Sequence, residues 1–349
     1  MGENRRRNVI VTGANGYVGS AVCRAFARAG WNTYGLIRNP QAQEELALSE
    51  IIPIIGSFTD LSFLNSLFEE ISTFDVIVSC TEKIPGYAAH FKEVIACVKT
   101  LAEQSNQHGV RPLVLWSSGC KDYGTTAVHG APGLAPHVED SPMNGPEILK
   151  ERTESSARVF DYVDLFDAAV IRPTCVFGYS NSYYGAIFDY AAAQKESGAQ
   201  VLRVPGDPNS IMHATHIDDC GEAYVSLAEH ADRSAVGGQF FNISGHRYET
   251  LDEIAASVAK EYNFEHGVKI VPHSEAEPSV PPGLHWVFSF SQWVGSDKIR
   301  SLTGWKDRRA LFSESIHAHR LAYDAYKNRG HSNVAEIRKR IGGNFGADK

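Results

Sequence analysis

The eight residues Thr12-Gly13-Ala14-Asn15-Gly16-Tyr17-Val18-Gly19 follow the apolar run Val9-Ile10-Val11 and open the helical run Tyr17–Ala29. Strand, glycine turn and helix in that order constrain the chain more than any other feature. Gly13 allows a tight turn, Gly16 lets the backbone approach a pyrophosphate, and Gly19 lets helix and strand pack closely. The free N–H groups and positive end of the helix then face the phosphates. Asn15, Tyr17 and Val18 complete the expected nucleotide-binding turn.

Patterns of strand and helix alternate after it. Thr33–Ile37, Ile51–Ile55, Val76–Ser79, Pro112–Trp116 and Ala168–Ile171 read as strands rich in Val and Ile, as in a parallel sheet covered on both faces. Between them Gln41–Leu48, Leu61–Ile71, Ala88–His108 and Glu147–Phe166 read as helices. The expected fold is α/β, a doubly wound parallel Rossmann sheet with a smaller C-terminal substrate lobe. Residues 1–178 are assigned to the dinucleotide-binding domain, with 216–245 returning to it. Residues 179–215 and 246–349 are assigned to the lobe; after Gly178 the expected elements are Ser182–Ser197, Val201–Val204, Ile217–His230, Gln239–Ile243 and Leu251–Tyr262, the third and fourth of them in the returning stretch, followed by the proline-rich stretch Pro272–Pro282.

With 349 residues, 43% of them hydrophobic, the chain can bury one large core, or a core with a lobe attached. A formal charge of −8 argues against nucleic acid as the main partner. Arg5-Arg6-Arg7 reads as a solvated basic stub before the first strand. No apolar stretch approaches a membrane span, and the six cysteines show no C-x-x-C pair and lie mostly in apolar runs. The expectation is a cytoplasmic protein with reduced cysteines, no membrane partner, no metal and a small-molecule substrate.

Further residues carry a resemblance. These are Ser117-Ser118 after the fifth strand, Lys150 with Glu154, Arg172-Pro173 followed by Val176-Phe177-Gly178, His216-Ile217-Asp218-Asp219, and Phe241-Asn242-Ile243. With the glycine turn, they make the chain similar, over about residues 8–325, to the extended short-chain dehydrogenase/reductase family, the NAD(P)-dependent epimerase/dehydratase and dihydroflavonol-reductase-like group. The resemblance implies a nicotinamide coenzyme, a Ser–Tyr–Lys working set, and a homodimer through Ala88–His108 and Glu147–Phe166. Ser118 and Lys150 match two of the three catalytic positions, Lys150 also holding the ribose, and Arg172 is carried over to the coenzyme site. Asp60 stands where the family binds the adenine amino group; it serves equally well as a helix cap. Arg38, at the end of the second strand, replaces an acidic residue and suits a 2′-phosphate, so the expected coenzyme is NADP(H).

The chain departs from the family where Pro146 stands four residues before Lys150, in place of the proton-donating tyrosine. The stand-ins are Tyr123 in Asp122-Tyr123-Gly124, Tyr183 and Tyr184, and His213 and His216; Cys80-Thr81-Glu82-Lys83 places charges near the nicotinamide, as new acid–base groups or as mutual pairs. Three functions follow in order: an NADP(H)-dependent oxidoreductase on a small organic carbonyl or imine, a redox-neutral isomerase, lyase or cyclase that retains its coenzyme, and a non-enzymatic NADP(H) sensor.

Overall fold

Val9 and Val11 point to one side of the first strand and Ile10 to the other, and all three are fully buried, so helices must cover both faces. The computed structural model describes residues 6–276 and 280–343; Arg5 of the basic stub, residues 277–279 of the proline-rich stretch and the two ends of the assigned domains lie outside them.

The main sheet is built from β1 (Asn8–Thr12), β2 (Asn32–Ile37), β3 (Ile52–Ile55), β4 (Val76–Ser79), β5 (Leu113–Ser117) and β6 (Asp167–Pro173). After β7 (Cys175–Phe177), β8 (Leu202–Pro205), β9 (Ile211–Met212) and β10 (Ala214–His216), the chain returns as β11 (Gln239–Ile243). The seven strands lie in the order β11-β6-β5-β4-β1-β2-β3, every pairing parallel. The order reverses between β1 and β4, and the crevice at their carboxyl ends is the topological switch point.

On one face α1 (Tyr17–Arg28) packs through Ala21, Val22 and Phe26 against β1. The opposite face is covered by α3 (Phe63–Glu70) and α4 (Tyr87–Gln107), whose Leu64, Leu67, Phe91, Val94 and Leu101 meet Ile10, Ile77 and Val114. The five-residue α2 (Gln43–Ala47) buries only Leu46. Each buried Val, Leu or Phe contributes about 1.5–3 kcal/mol relative to exposure, so these two layers hold the sheet.

Glu147–Phe166 is not the single helix expected: only α5 (Lys150–Ser156) is α-helical, between 3₁₀ turns at Glu147–Leu149 and Ala157–Tyr162. The helix ends as Ser156 turns its hydroxyl inward to Tyr87 and Ser118.

The second unit contains α6 (Tyr183–Glu196), α8 (Leu251–Glu261), α9 (Pro282–Ser289), α11 (Ile316–Asn328) and α12 (Ser332–Gly342). Between them α7 (Ile217–Ala228) and α10 (Asp297–Thr303) lie in the same cluster as α1, with Cys220, Ala223, Tyr224 and Ile299 in the sheet core. The lobe core gathers Tyr184, Phe188, Leu251, Ile254, Leu284, Phe288 and Phe312. Its small ladders are β8 with β13 (Val268–Val271) and β9 with β12 (Glu249–Thr250); of these strands the sequence patterns announce β8 alone, as Val201–Val204. A capping box starts α8: Glu253 N–H donates to Thr250 Oγ1 at 3.2 Å and Thr250 N–H to Glu253 Oε2 at 2.7 Å. Among the described residues no helix is long and apolar enough to cross a membrane.

Three histidines sit in the lobe and its joint with the sheet. His213 accepts from Val294 N–H and faces Gly245 O, His216 caps α7 by accepting from Asp218 N–H, and His319 stacks on Phe312. Burial pushes all three down to about 4. Each is neutral when folded and free to protonate when unfolded, so their contribution is complete above the unfolded value of about 6.5 and is lost as pH falls towards the folded value. Thermal unfolding should therefore show Tm dropping between about pH 6.5 and 4, and His319→Phe should flatten that slope; an equally steep slope in the variant would assign the loss to other groups.

Candidate functional site

Gly13 has φ +67°, and a Cβ there would lie 2.8 Å from Thr81 Cγ2 and 2.9 Å from Cys80 O. A Cβ on Gly19 would come within 2.2 Å of Gly13 O. The turn is therefore held against both its own helix and the β4 loop, and only glycine fits at these two positions. Gly16 N–H donates to Gly13 O at 2.9 Å, leaving Asn15 and Gly16 exposed at the mouth of the turn. Tyr17 and Val18 follow in the first turn of α1, whose N–H groups lack intrahelical acceptors. The Tyr17 phenol points away from the mouth and donates to Gly178 O at 2.7 Å, so this residue offers its backbone rather than its ring. A cavity of about 30 Å³ adjoins the turn, bounded by Asn15, Gly16, Arg24, Tyr179 and His331. The cradle fits a dinucleotide pyrophosphate: it is bare of side chains where a ligand backbone must approach, and it faces a helix N-terminus.

Arg38 stands exposed beyond β2, and among the described residues no hydrogen bond or ion pair holds its guanidinium. Asp60 is committed locally: its carboxylate accepts Ser62 N–H at 2.9 Å, and this bond holds it below the usual carboxylate range.

At the carboxyl ends of β4 and β5 the polar side chains form one connected network. Trp116 Nε1–H donates to Tyr87 Oη at 3.0 Å, and Tyr87 lies 3.3 Å from Ser156 Oγ. Ser156 donates to Ser118 Oγ at 3.3 Å, and Ser118 donates to Asp122 Oδ2 at 2.6 Å. Asp122 Oδ1 accepts from Arg152 Nε at 3.1 Å and Nη2 at 2.6 Å, while Arg152 Nη1 donates to Glu82 at 2.7 Å. Glu82 thus pairs with Arg152, settling the charge beside Cys80-Thr81; Cys80 itself rests 3.4 Å from Ser117 Oγ, and burial pushes its thiol up to about 12.

Three of the residues expected at the site are placed elsewhere. Lys150 is not brought to Ser118: its ammonium is 57% exposed and lies 3.8 Å from Glu147. It begins α5 facing water, while Arg152, two residues on and therefore on another face, is the basic side chain turned inward. Tyr123 is not free to exchange protons, because its phenol is buried, donates to Asn242 Oδ1 at 2.8 Å and accepts from Arg172 Nη1 at 2.9 Å. Burial pushes that phenol up, and His137 stacks on its ring. Arg172 is 3% exposed, with its guanidinium 4.1 Å from the Phe240 ring; it supports Tyr123 inside the protein instead of reaching a coenzyme.

The stand-ins separate in the same way. Tyr184 is core and donates to Met212 O, and His213 and His216 are spent on the backbone as described. Tyr183 stays at the cleft, hydrogen-bonded to Arg340 of α12, with burial pushing its phenol up to about 12. Asp122 and Arg152 were not singled out from the sequence, although Asp122 stands immediately before Tyr123 and Arg152 shares a helix with Lys150; Glu82 was, and its partner is Arg152 rather than Lys83. No periodicity distinguishes which of two basic residues on a short helix faces inward.

The lobe closes over this network. Gln292 Nε2 donates to both Cys120 O and Gly124 O at 2.7 Å, and Lys121 lies beneath Trp286 and Phe290 of the α9 region. A glycine turn at the switch point, facing a cleft roofed by a second unit, defines a dinucleotide-binding α/β protein. The chain belongs to the NAD dependent epimerase/dehydratase family, matched over residues 9–244.

Solved structures agree on the fold. A dTDP-glucose 4,6-dehydratase from Bacillus anthracis, in complex with NAD, superposes with TM-score 0.67 at 13% identity, covering 95% of this chain and 99% of that one. A UDP-glucuronic acid 4-epimerase from Bacillus cereus, also with NAD, gives 0.66 at 18%, covering 91% and 99%. A UDP-glucose 4-epimerase from Stenotrophomonas maltophila with bound NAD gives 0.66 at 16%, covering 93% and 100%.

Arg152→Met should destabilise the protein by about 3–5 kcal/mol, because it leaves the Asp122 carboxylate buried without its partner. Lys150→Met should change stability by no more than about 0.5 kcal/mol and leave dinucleotide affinity unchanged. Chemical denaturation and a calorimetric titration of each variant check both; a stability loss confined to Lys150→Met would reverse the assignment.

Proposed function

We propose that this chain is an NADP(H)-dependent oxidoreductase of the extended short-chain dehydrogenase type, acting on a small organic carbonyl or imine with a proton donor other than tyrosine. The observation that carries the coenzyme reading is Arg38, an uncommitted guanidinium at the carboxyl end of β2, beside the glycine cradle, where a 2′-phosphate is recognised. Gly13, Asn15, Gly16, Val18 and Gly19 would hold the pyrophosphate by backbone, and Asp60 keeps its local bond to Ser62. Bound NADPH supplies a hydride, or takes one back, at its nicotinamide ring.

The missing phenol is supported on both registers of α5. Four residues before Lys150 stands Pro146, and four before the inward-facing Arg152 stands Ile148. Neither carries an ionisable group. Ser118 directs its hydroxyl hydrogen to Asp122, so its oxygen lone pairs, rather than its proton, are presented to the surroundings. Arg152 fixes Asp122, and through it the rotamer of Ser118, while Trp286 and Phe290 shield this end of the cleft from water.

A second reading, redox-neutral chemistry with a retained coenzyme, is favoured by the family match and by the epimerase and dehydratase activities of the solved relatives. Net loss of reduced-nicotinamide absorbance with a carbonyl substrate supports the first reading; turnover without that loss supports the second.

Arg38→Asp should weaken NADPH at least tenfold while changing NADH by less than about threefold, an effect of about 1.4 kcal/mol or more on one coenzyme alone. Fluorescence titration of both nucleotides checks this, and equal losses would remove the 2′-phosphate role.

A further inference from the structure

Lys121 lies beneath the lobe and takes no part in the network around Arg152. It sits in the 3₁₀ turn Cys120–Tyr123 that leaves β5, three residues after Ser118, above the carboxyl ends of β5 and β6. Its Nζ lies 3.8 Å from the Phe290 ring centroid and 4.2 Å from that of Trp286, both from the lobe. Cys175, the first residue of β7, is the largest ionisable influence on the ammonium after its burial. Among the described residues no carboxylate lies within 4.0 Å of Nζ. Asp122, its neighbour in sequence, is turned the other way and bound to Arg152.

This arrangement is unusual for a structural lysine. A lysine kept only for its charge sits in water or against a carboxylate; this one is enclosed by two aromatic faces and a thiol. The groups facing it are Cys175 from β7, Cys120 from its own turn and Arg152 from α5. Burial, and secondarily the Arg152 cation, lower its proton affinity against the opposing influence of the two sulfurs. An amine whose proton affinity is lowered by burial is a better acid than an ordinary lysine. Ligands of this fold bind at the carboxyl ends of the strands, and the turn that carries Lys121 leaves β5 at that end.

We propose that Lys121 is the proton donor of this site, occupying the chemical role that the absent tyrosine leaves open. The assignment rests on the reductase reading above and gives it an acid. As the carbonyl carbon gains a hydride, two electrons and one hydrogen, the C=O π pair moves onto oxygen. Lys121 Nζ–H gives its proton to that oxygen, producing the alcohol and a neutral amine. The amine then recovers a proton from solvent. In the oxidative direction the neutral amine takes the hydroxyl proton. Cys175 and the two rings act as positioning groups: they hold Nζ at the cleft and keep bulk water from levelling its acidity.

The test uses the full chain and reads the amine directly. Trace acetic anhydride labelling across a pH series, quantified by mass spectrometry, gives an apparent titration for each lysine. Lys121 should titrate below a reference lysyl peptide added to the same reaction, and labelling in step with that peptide would overturn the proposal. A second arm follows NADPH oxidation with 9,10-phenanthrenequinone as the probe carbonyl. Lys121→Met and Lys121→Arg should both lower kcat by about 100-fold or more while leaving KM and NADPH affinity within about twofold. Arginine preserves the charge and cation–π contacts but holds its proton too tightly to give it up. A Lys121→Arg variant that keeps its kcat would therefore show a merely electrostatic role and overturn the assignment. A wild-type protein that binds NADPH but leaves it unoxidised fails the reductase reading by itself. The labelling series then decides for Lys121 alone: the lowered titration upholds an acid–base amine, and its absence rejects one.

Discussion

The Arg152 guanidinium holds the upper surface of the sheet together. It joins three segments far apart in sequence: the loop after β4 through Glu82, the turn after β5 through Asp122, and α5 on which it rides. Its side chain is 9% exposed and that of Asp122 only 1%, so both charges have left water and depend on each other. Buried pairs of this kind contribute little net stability against an apolar replacement, yet losing one partner is costly. What the pair secures is geometry. With Asp122 fixed, Ser118 has one direction for its hydrogen, Ser156 donates to Ser118, and Tyr87 and Trp116 extend the chain of bonds into the helix layer. A substrate arriving here meets groups whose orientations are already set.

How far the sequence could be read depended on whether a feature was local. The β1 turn was legible because three glycines between a strand and a helix leave few conformations open, and φ +67° at Gly13 is a property of the turn itself. The parallel sheet was legible because strands covered on both faces become continuous apolar runs. Lys150 misled because its spacing to Glu154 matches the family while the helix starts at that very residue, leaving it at a solvated end. Arg172 and Tyr123 misled for the opposite reason. Both are polar residues beside a site, but β11 supplies Asn242 and Phe240 across the sheet, and these contacts absorb them into the core. Lys121 was passed over because its significance depends on Trp286 and Phe290, more than 160 residues away, which no local pattern connects to it.

The same distinction separates the two ends of the coenzyme cleft. The phosphate end is made by backbone, with amides and missing Cβ atoms, and such sites tolerate change in the surrounding side chains. The other end is made by side chains drawn from the loop after β4, the turn after β5, α5 and the lobe, and it is organised around an arginine, two carboxylates and an amine under two aromatic rings.

The crossing of the chain between its two units carries one more consequence. The strand β7 leaves the sheet and pairs with β10 on the way back, and β11 then covers the flank of β6. The smaller unit is therefore inserted into the larger one, whose edge strand β11 is reached only after the chain has passed through it. A polypeptide cut after Gly178 would present the bare flank of β6, with its Val170 and Ile171, to any neighbouring chain; the nucleotide-binding half is not a separable module but a structure finished by residues that come after its own roof.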